Sequence, residues 1–184
     1  MSSKAKISKK RGGWVLKEFN TLNSAQAIDK LMQCNTSEHW CDQMEQARPF
    51  SDFANLQETA DKLWKKSSEE DLLQAFDGHP EIGDVSTLRE KYKNTASSAG
   101  HEQSAVNAAS DKTLSALAKG NQDYKEKFGF IFIVCASGKT ADEMLELLLE
   151  RLPNSREREL INAGEEQRKI TQIRLEKLLG SPPP

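Results

Sequence analysis

The sequence predicts an all-α protein, a single-domain helical bundle of about seven to nine helices. Apolar residues recur at helical spacing through most of the chain, and many of these stretches follow a residue that can cap a helix. Only one short run resembles a strand, and it has no second run to pair with. The 184 residues, 36% of them hydrophobic, are enough for one domain with a sizeable core.

Three helices are predicted before residue 67, each beginning at a residue whose side chain can accept a bond from the first turn. The candidate caps are, in chain order, Asn23 or Ser24, Thr36 or Ser37, and Ser51 or Asp52. The second of these helices stops before Pro49, since proline disfavours helical geometry in the residue that precedes it.

The next helix leads directly into a histidine. Ser67 and Glu70 have the spacing of a capping box, and we expect Gly78 to end the helix in the left-handed conformation. Pro80 then holds His79 extended. An imidazole changes charge near neutral pH, so His79 suits proton transfer or anion binding, although a structural loop histidine fits the same pattern.

The remaining helices are predicted near residues 87–93, over residues 102–126 with a break near residues 110–111, and over two longer stretches further on. Thr140 and Glu143 form a capping box that opens a helix through Leu152. Asn154, with Glu157 three residues on, opens the last helix, which runs to about residue 179.

Residues 128–136 are the exception to this helical pattern. They are apolar and rich in β-branched and aromatic side chains, which favours a buried strand. A lone buried strand would leave its backbone groups unsatisfied. We therefore predict an extended or partly helical segment through the core, which is either a packing element or a pocket wall with free amides.

Charge and hydropathy exclude several kinds of partner. The net charge of −2 gives no general basic field, so a nucleic-acid partner is not expected. Since no run of about 18 apolar residues occurs, a membrane partner is not expected either. Residues 1–13 contain a basic cluster and are predicted to be a disordered tail, residues 14–180 to form the domain, and residues 181–184 to be a frayed end.

The cysteines bear on metal binding and on compartment. Cys34, Cys41 and Cys135 lack the spacing of a zinc site, so no metal is expected. Three unpaired thiols fit a reducing compartment, and we predict a cytoplasmic protein. His39, on a polar helix, is interpreted as a surface residue.

Two further charged residues are candidates for chemistry. Glu102 follows a stretch of small residues ahead of a helix, where it either belongs to an anion-binding loop or simply stabilises the helix dipole. Arg174 lies inside the apolar stripe of the last helix, between Ile170 and Leu178. Its guanidinium needs an internal partner such as Glu102, an anionic ligand, or a route to solvent.

Together these features resemble the 2-oxo-4-hydroxy-4-carboxy-5-ureidoimidazoline (OHCU) decarboxylases. The resemblance extends from about residue 50 to residue 179 and has four landmarks in order. They are the helix running into His79-Pro80-x-Ile82-Gly83, then Glu102-Gln103, then Tyr124-x-x-x-Phe128-Gly129-Phe130-x-Phe132, and finally Ile170-x-x-Ile173-Arg174-Leu175.

The resemblance implies an all-α homodimer that decarboxylates a small ureidoimidazoline to (S)-allantoin in urate catabolism, with no cofactor. It makes His79 the catalytic acid or base, Glu102 its carboxylate partner, and Arg174 the ligand of the substrate anion. The substrate-binding residues that it implies are Pro80, Ser98, Gln103, Phe132, Ile133, Val134, Cys135 and Ala136. Two positions depart from the family pattern: Glu81 stands where Arg or Gln is frequent, and Ala99 where Ser is common, with Ser98 beside it.

Two other functions are compatible with the sequence. A helical interaction module without catalysis would need an exposed apolar groove. A member of the same family could also act on a different substrate, since fold alone does not fix function. The enzyme interpretation requires that His79, Glu102 and Arg174 meet around one small cavity.

Overall fold

The computed structural model describes residues 16–81, 84–93 and 103–180, with the side chains of residue 93 and residues 103–110 left aside. This part of the chain contains nine helices and no strand, which confirms the predicted all-α fold. The helices are α1 (Leu16–Asn20), α2 (Ser24–Leu31), α3 (Glu38–Gln46), α4 (Phe53–Trp64), α5 (Glu69–Asp77), α6 (Val85–Lys93), α7 (Gln103–Phe128), α8 (Ala141–Arg151) and α9 (Arg156–Leu179). The predicted tails, residues 1–13 and 181–184, lie outside it.

Side-chain caps begin most of these helices, as the sequence indicated. Asn23, Ser37 and Asp52 cap α2, α3 and α4. Thr140 and Glu143 form the predicted capping box of α8. The predicted break near residues 110–111 is absent, because α7 continues through them.

Two predicted caps were wrong by one residue. Ser68, and not Ser67, caps α5, and its box partner is Asp71. Ser155, and not Asn154, caps α9 by accepting a bond from the backbone of Arg158. In both cases two neighbouring residues can cap, and the folded path of the chain decides which one does.

The end of α5 also differs from the prediction. Gly78 has φ −72°, a right-handed conformation, so the position does not need glycine for a left-handed turn. A Cβ atom there would lie 2.1 Å from Thr36 Oγ1. The Thr36 hydroxyl donates to the carbonyls of Gln74 and Ala75 at 3.0 and 3.3 Å. Glycine is required because the chain before α3 lies directly against the end of α5.

The apolar core has two parts that share α9. One part lies among α1 to α4 and includes Phe19, Trp40 and Leu56. The other surrounds α7 and α8 and includes Tyr124 and Leu148. α9 contributes its C-terminal leucines to the first part and its N-terminal half to the second. Side chains on α9 are therefore held in position by both parts of the core.

Residues 129–136 pass through this core with neither helical structure nor a partner strand. Side chains from α8 and α9 bond its backbone. Arg151 Nη1 donates to the Ile133 carbonyl at 2.8 Å, and Arg156 Nε donates at 3.1 Å to the carbonyl of Phe128, the residue directly before the segment. The Cys135 N–H donates to Glu166 Oε2 at 2.7 Å. These bonds satisfy part of the backbone that a partner strand would otherwise pair with.

A buried ion pair anchors Arg151, the side chain that bonds the Ile133 carbonyl. Arg151 contacts Glu159 at 2.7 Å, and the Glu159 side chain is fully buried. Burial alone would raise the pKa of Glu159, but hydrogen bonds from Arg151, Tyr124, Asn154 and Asn162 outweigh it and hold the pKa below its ordinary value. Glu159 is therefore ionised at neutral pH.

We expect Arg151→Met to lower the free energy of unfolding by about 3–5 kcal/mol, because it leaves the Glu159 charge buried without its partner. The loss of unfolding free energy is largest above about pH 4.3, the pKa of Glu159 in the unfolded chain. It shrinks as the pH falls through the lower pKa that Glu159 has in the folded protein. Urea unfolding at several pH values measures it. The matched control is Arg89→Met, which breaks the exposed pair with Asp111 and costs at most about 1 kcal/mol. Equal losses in the two variants would contradict the prediction.

Candidate active site

A cavity of about 370 Å³ lies where α6, α7, α8 and α9 meet the segment of residues 129–136. His79 and Pro80 enter it from the end of α5, and Arg174 enters it from α9. The enzyme interpretation required His79, Glu102 and Arg174 to meet around one cavity; His79 and Arg174 do, and Glu102 lies outside the described residues.

His79 is held on two sides. Its backbone N–H donates to the Phe76 carbonyl at 3.1 Å, so the end of α5 fixes its position. Its ring nitrogen Nε2 lies 2.5 Å from Oε1 of Gln167 on α9. A ring held in this way has one defined orientation at the cavity wall.

Burial and neighbouring charge keep this ring neutral. Burial lowers the pKa of His79 most, and the nearby cations Arg174 and Lys91 lower it further. The hydrogen bond to Gln167 acts in the opposite direction but does not outweigh them. With a pKa below its ordinary 6.5, the imidazole is uncharged at neutral pH and can accept a proton.

Arg174 provides positive charge beside this neutral ring. Its Nη1 donates a long 3.4 Å bond to the Cys34 carbonyl. Within the described ranges, no carboxylate lies within 4.0 Å of its guanidinium. Of the three outcomes considered for Arg174, this arrangement favours an anionic ligand, because the guanidinium borders the cavity and cannot lose its charge.

The predicted pocket wall lies where the resemblance implied. Phe132, Ile133, Val134, Cys135 and Ala136 all line the cavity. The segment is both a packing element and a wall: the Phe130 and Ile133 side chains are buried, and their neighbours are half-buried. Both interpretations of the segment therefore hold, for different residues.

Three predicted site residues cannot be placed. Glu102 and Ser98 lie outside the described residues. Gln103 is the first residue of α7, but its side chain is among those left aside. Their proposed roles remain predictions.

The cavity also contains residues that the sequence analysis missed. Lys91, Lys125 and Lys177 line it from α6, α7 and α9. Lys125 Nζ forms a 2.7 Å ion pair with Glu81, the position that departs from the family pattern. A cluster of lysines from three helices has no signal in the sequence until the helices are packed together.

His39 lies away from this cavity. Its side chain is 60% exposed, and its Nδ1 lies 3.2 Å from Asp71 Oδ2. This agrees with the predicted surface role. The three cysteines are free, as expected, and burial raises the pKa of Cys34 and Cys41 to about 12.

A cavity with apolar walls, a histidine, an arginine and three lysines, set in an all-α fold, suits a small anionic molecule. Residues 20–176 match the family model described as OHCU decarboxylase, and the chain belongs to that family. The resemblance found in the sequence is thereby confirmed.

Relatives and solved structures agree with this assignment. The chain is 36% identical over 150 residues to the uric acid degradation bifunctional protein TTL of Arabidopsis thaliana, a match that covers 82% of the chain and 46% of that protein. It is 27% identical over 131 residues to the 2-oxo-4-hydroxy-4-carboxy-5-ureidoimidazoline decarboxylase of Halalkalicoccus jeotgali, covering 71% of the chain and 72% of the relative. The crystal structure of an OHCU decarboxylase in the presence of (S)-allantoin superposes with a TM-score of 0.66 at 34% identity, covering 83% of this chain and 99% of that one. The chain spans less than half of the length of the bifunctional Arabidopsis relative.

We expect Arg174→Met to raise the pKa of His79, because it removes a cation that disfavours the protonated ring. The measurement is an NMR titration of the histidine side chains, of which the protein has three. Lys62→Met is the matched control, since Lys62 is exposed on α4 and does not line the cavity. A His79 pKa that is equal in the wild-type and Arg174→Met proteins would show that the two groups are not coupled.

Proposed function

We propose that this protein catalyses the cofactor-independent decarboxylation of 2-oxo-4-hydroxy-4-carboxy-5-ureidoimidazoline to (S)-allantoin in urate breakdown. The observation that carries the proposal is that His79 and Arg174, distant in the sequence, border the same cavity in a chain of this family. The names of the relatives, which refer to uric acid degradation and to this decarboxylation, support the choice of substrate.

The reaction itself suits such a site. The bond between the ring carbon and the carboxylate breaks, carbon dioxide leaves, and the electron pair is delocalised onto the neighbouring carbonyl or imine of the substrate. One proton then adds to the ring carbon. The substrate supplies its own electron sink, so the protein must orient the carboxylate, stabilise the enolate-like state and direct the proton to one face.

Positive charge around the cavity provides the first two requirements. Arg174 is suited to bind the substrate carboxylate in a bidentate manner, and the lysines add a favourable field. The backbone N–H groups of Val134 and Ala136 form no bond within the described residues, so they are available as donors to the substrate. A site screened from water strengthens each of these interactions.

His79 meets the third requirement. Its neutral ring can polarise the substrate or move a proton at the cavity wall. The family resemblance adds Glu102 as the carboxylate partner of this ring in proton transfer.

We expect allantoin formation faster than spontaneous decay, with the S enantiomer in excess, when the protein meets substrate freshly generated by urate oxidase and hydroxyisourate hydrolase. Circular dichroism follows the product. His79→Ala should lower the rate on the order of 10² to 10⁴-fold, because the proton-transfer group is lost. His39→Ala is the matched control, a histidine outside the cavity whose loss leaves the rate unchanged.

Each contrary result has a distinct meaning. A rate equal to spontaneous decay would reject this substrate and favour a different one within the family. Full activity in His79→Ala or Glu102→Ala would leave the reaction in place but reject the assigned roles.

We further propose a cytoplasmic homodimer. No helix in the described ranges is long and apolar enough to cross a membrane. The family resemblance supports the dimer, and Leu149 on α8 and Ile161 on α9, 55% and 64% exposed, are large apolar side chains at the surface of the described residues. Light scattering should give twice the mass of one chain, and a monomer at assay concentration would contradict the dimer.

A further inference from the structure

Gln167 is a fully buried polar residue directly behind the site histidine. It lies on α9, two turns before Arg174, and it does not itself line the cavity. Its amide bridges His79 Nε2, at 2.5 Å, and Thr171 Oγ1, at 3.2 Å. A buried amide that touches the site only through a histidine can act only through that histidine.

The Gln167 amide has its oxygen toward His79 and its nitrogen Nε2 toward Thr171, in a network that continues to Asn35. The backbone N–H of Ser37 donates to Asn35 Oδ1 at 2.9 Å, so the other end of the Asn35 amide, Nδ2, donates to Thr171 Oγ1 at 3.3 Å. Gln167 Nε2 donates to the same hydroxyl oxygen. Gln167 Oε1 is the atom that lies 2.5 Å from His79 Nε2, and an amide oxygen can only accept a hydrogen bond, so His79 Nε2 is the nitrogen that donates.

We propose that Gln167 is a positioning residue that holds His79 in the tautomer with its proton on Nε2. Nδ1 is then the ring nitrogen open to exchange a proton, and it has no partner within the described part of the chain. The tautomer rests on the contacts alone, and only its value for catalysis rests on the proposed function.

An amide suits this position better than a carboxylate would. A negative charge against Nε2 would favour the imidazolium form and oppose the neutral ring that burial, Arg174 and Lys91 maintain. The amide gives the same acceptor geometry without the charge. The ring is thus oriented and remains able to accept a proton.

Nitrogen-15 NMR of histidine-labelled protein tests the inference without substrate. Only three rings contribute, and His39→Ala and His101→Ala spectra assign the remaining signals to His79. We expect the neutral His79 ring to show a protonated Nε2 and an unprotonated Nδ1. A protonated Nδ1 in the wild-type protein would overturn the proposal.

Two substitutions separate positioning from simple packing. Gln167→Met fills the same space without an acceptor and should lose the single tautomer, with kcat reduced about tenfold or more and KM changed less. Gln167→Glu restores the acceptor, so it should keep the proton on Nε2 and raise the pKa of His79. An unchanged ring spectrum in Gln167→Met would overturn the proposal.

The control is Gln172→Met, which removes an amide from the same helix. Gln172 donates to the Gln57 carbonyl and to Asp61 on α4, away from the cavity. It should leave both the His79 spectrum and kcat unchanged, and a change like that of Gln167→Met would reject a specific role for Gln167. Since the NMR measurement needs no turnover, a protein inactive on OHCU with the expected tautomer would refute the proposed function and leave this inference standing.

Discussion

The structure depends on how residues 129–136 satisfy their backbone without a partner strand. An extended chain in an apolar core is unfavourable unless its N–H and C=O groups are bonded. Here charged side chains of α8 and α9 bond the Ile133 carbonyl and the Cys135 N–H, and the buried Arg151–Glu159 pair holds Arg151 in place. The solution has a functional consequence. Since no second strand covers the segment, one side of it is free to form the cavity wall.

The same requirement explains why α9 is central to the site. On this helix, Glu159 pairs with Arg151, and Glu166 accepts a bond from the Cys135 N–H. Further along, Gln167 contacts His79 and Arg174 enters the cavity. Because α9 packs into both parts of the core, these groups are held in fixed relative positions. Precise placement of catalytic groups is most readily achieved on rigid elements of this kind. One helix therefore connects the cavity wall, His79 and Arg174.

Much of the fold follows from local sequence, and the errors have a physical pattern. Capping chemistry is local, so Asp52 and Thr140 could be predicted, but where two candidates adjoin, as at Ser67 and Ser68, tertiary packing decides. His79 and Arg174 could be found because a titratable ring beside proline and a cation in an apolar stripe are unusual. Gln167 could not, because a neutral amide on a helix becomes informative only when its neighbours are known.

The cavity combines two properties that are hard to obtain together. Binding an anionic substrate calls for positive charge, whereas a proton acceptor beside that charge must stay neutral. Burial and the surrounding cations reconcile them, since both lower the pKa of His79 while leaving the arginine charged. A neutral ring has two tautomers, however, and only one presents its lone pair on a given side. Charge alone cannot choose between them, which is why an uncharged, fully buried acceptor at Gln167 completes the arrangement.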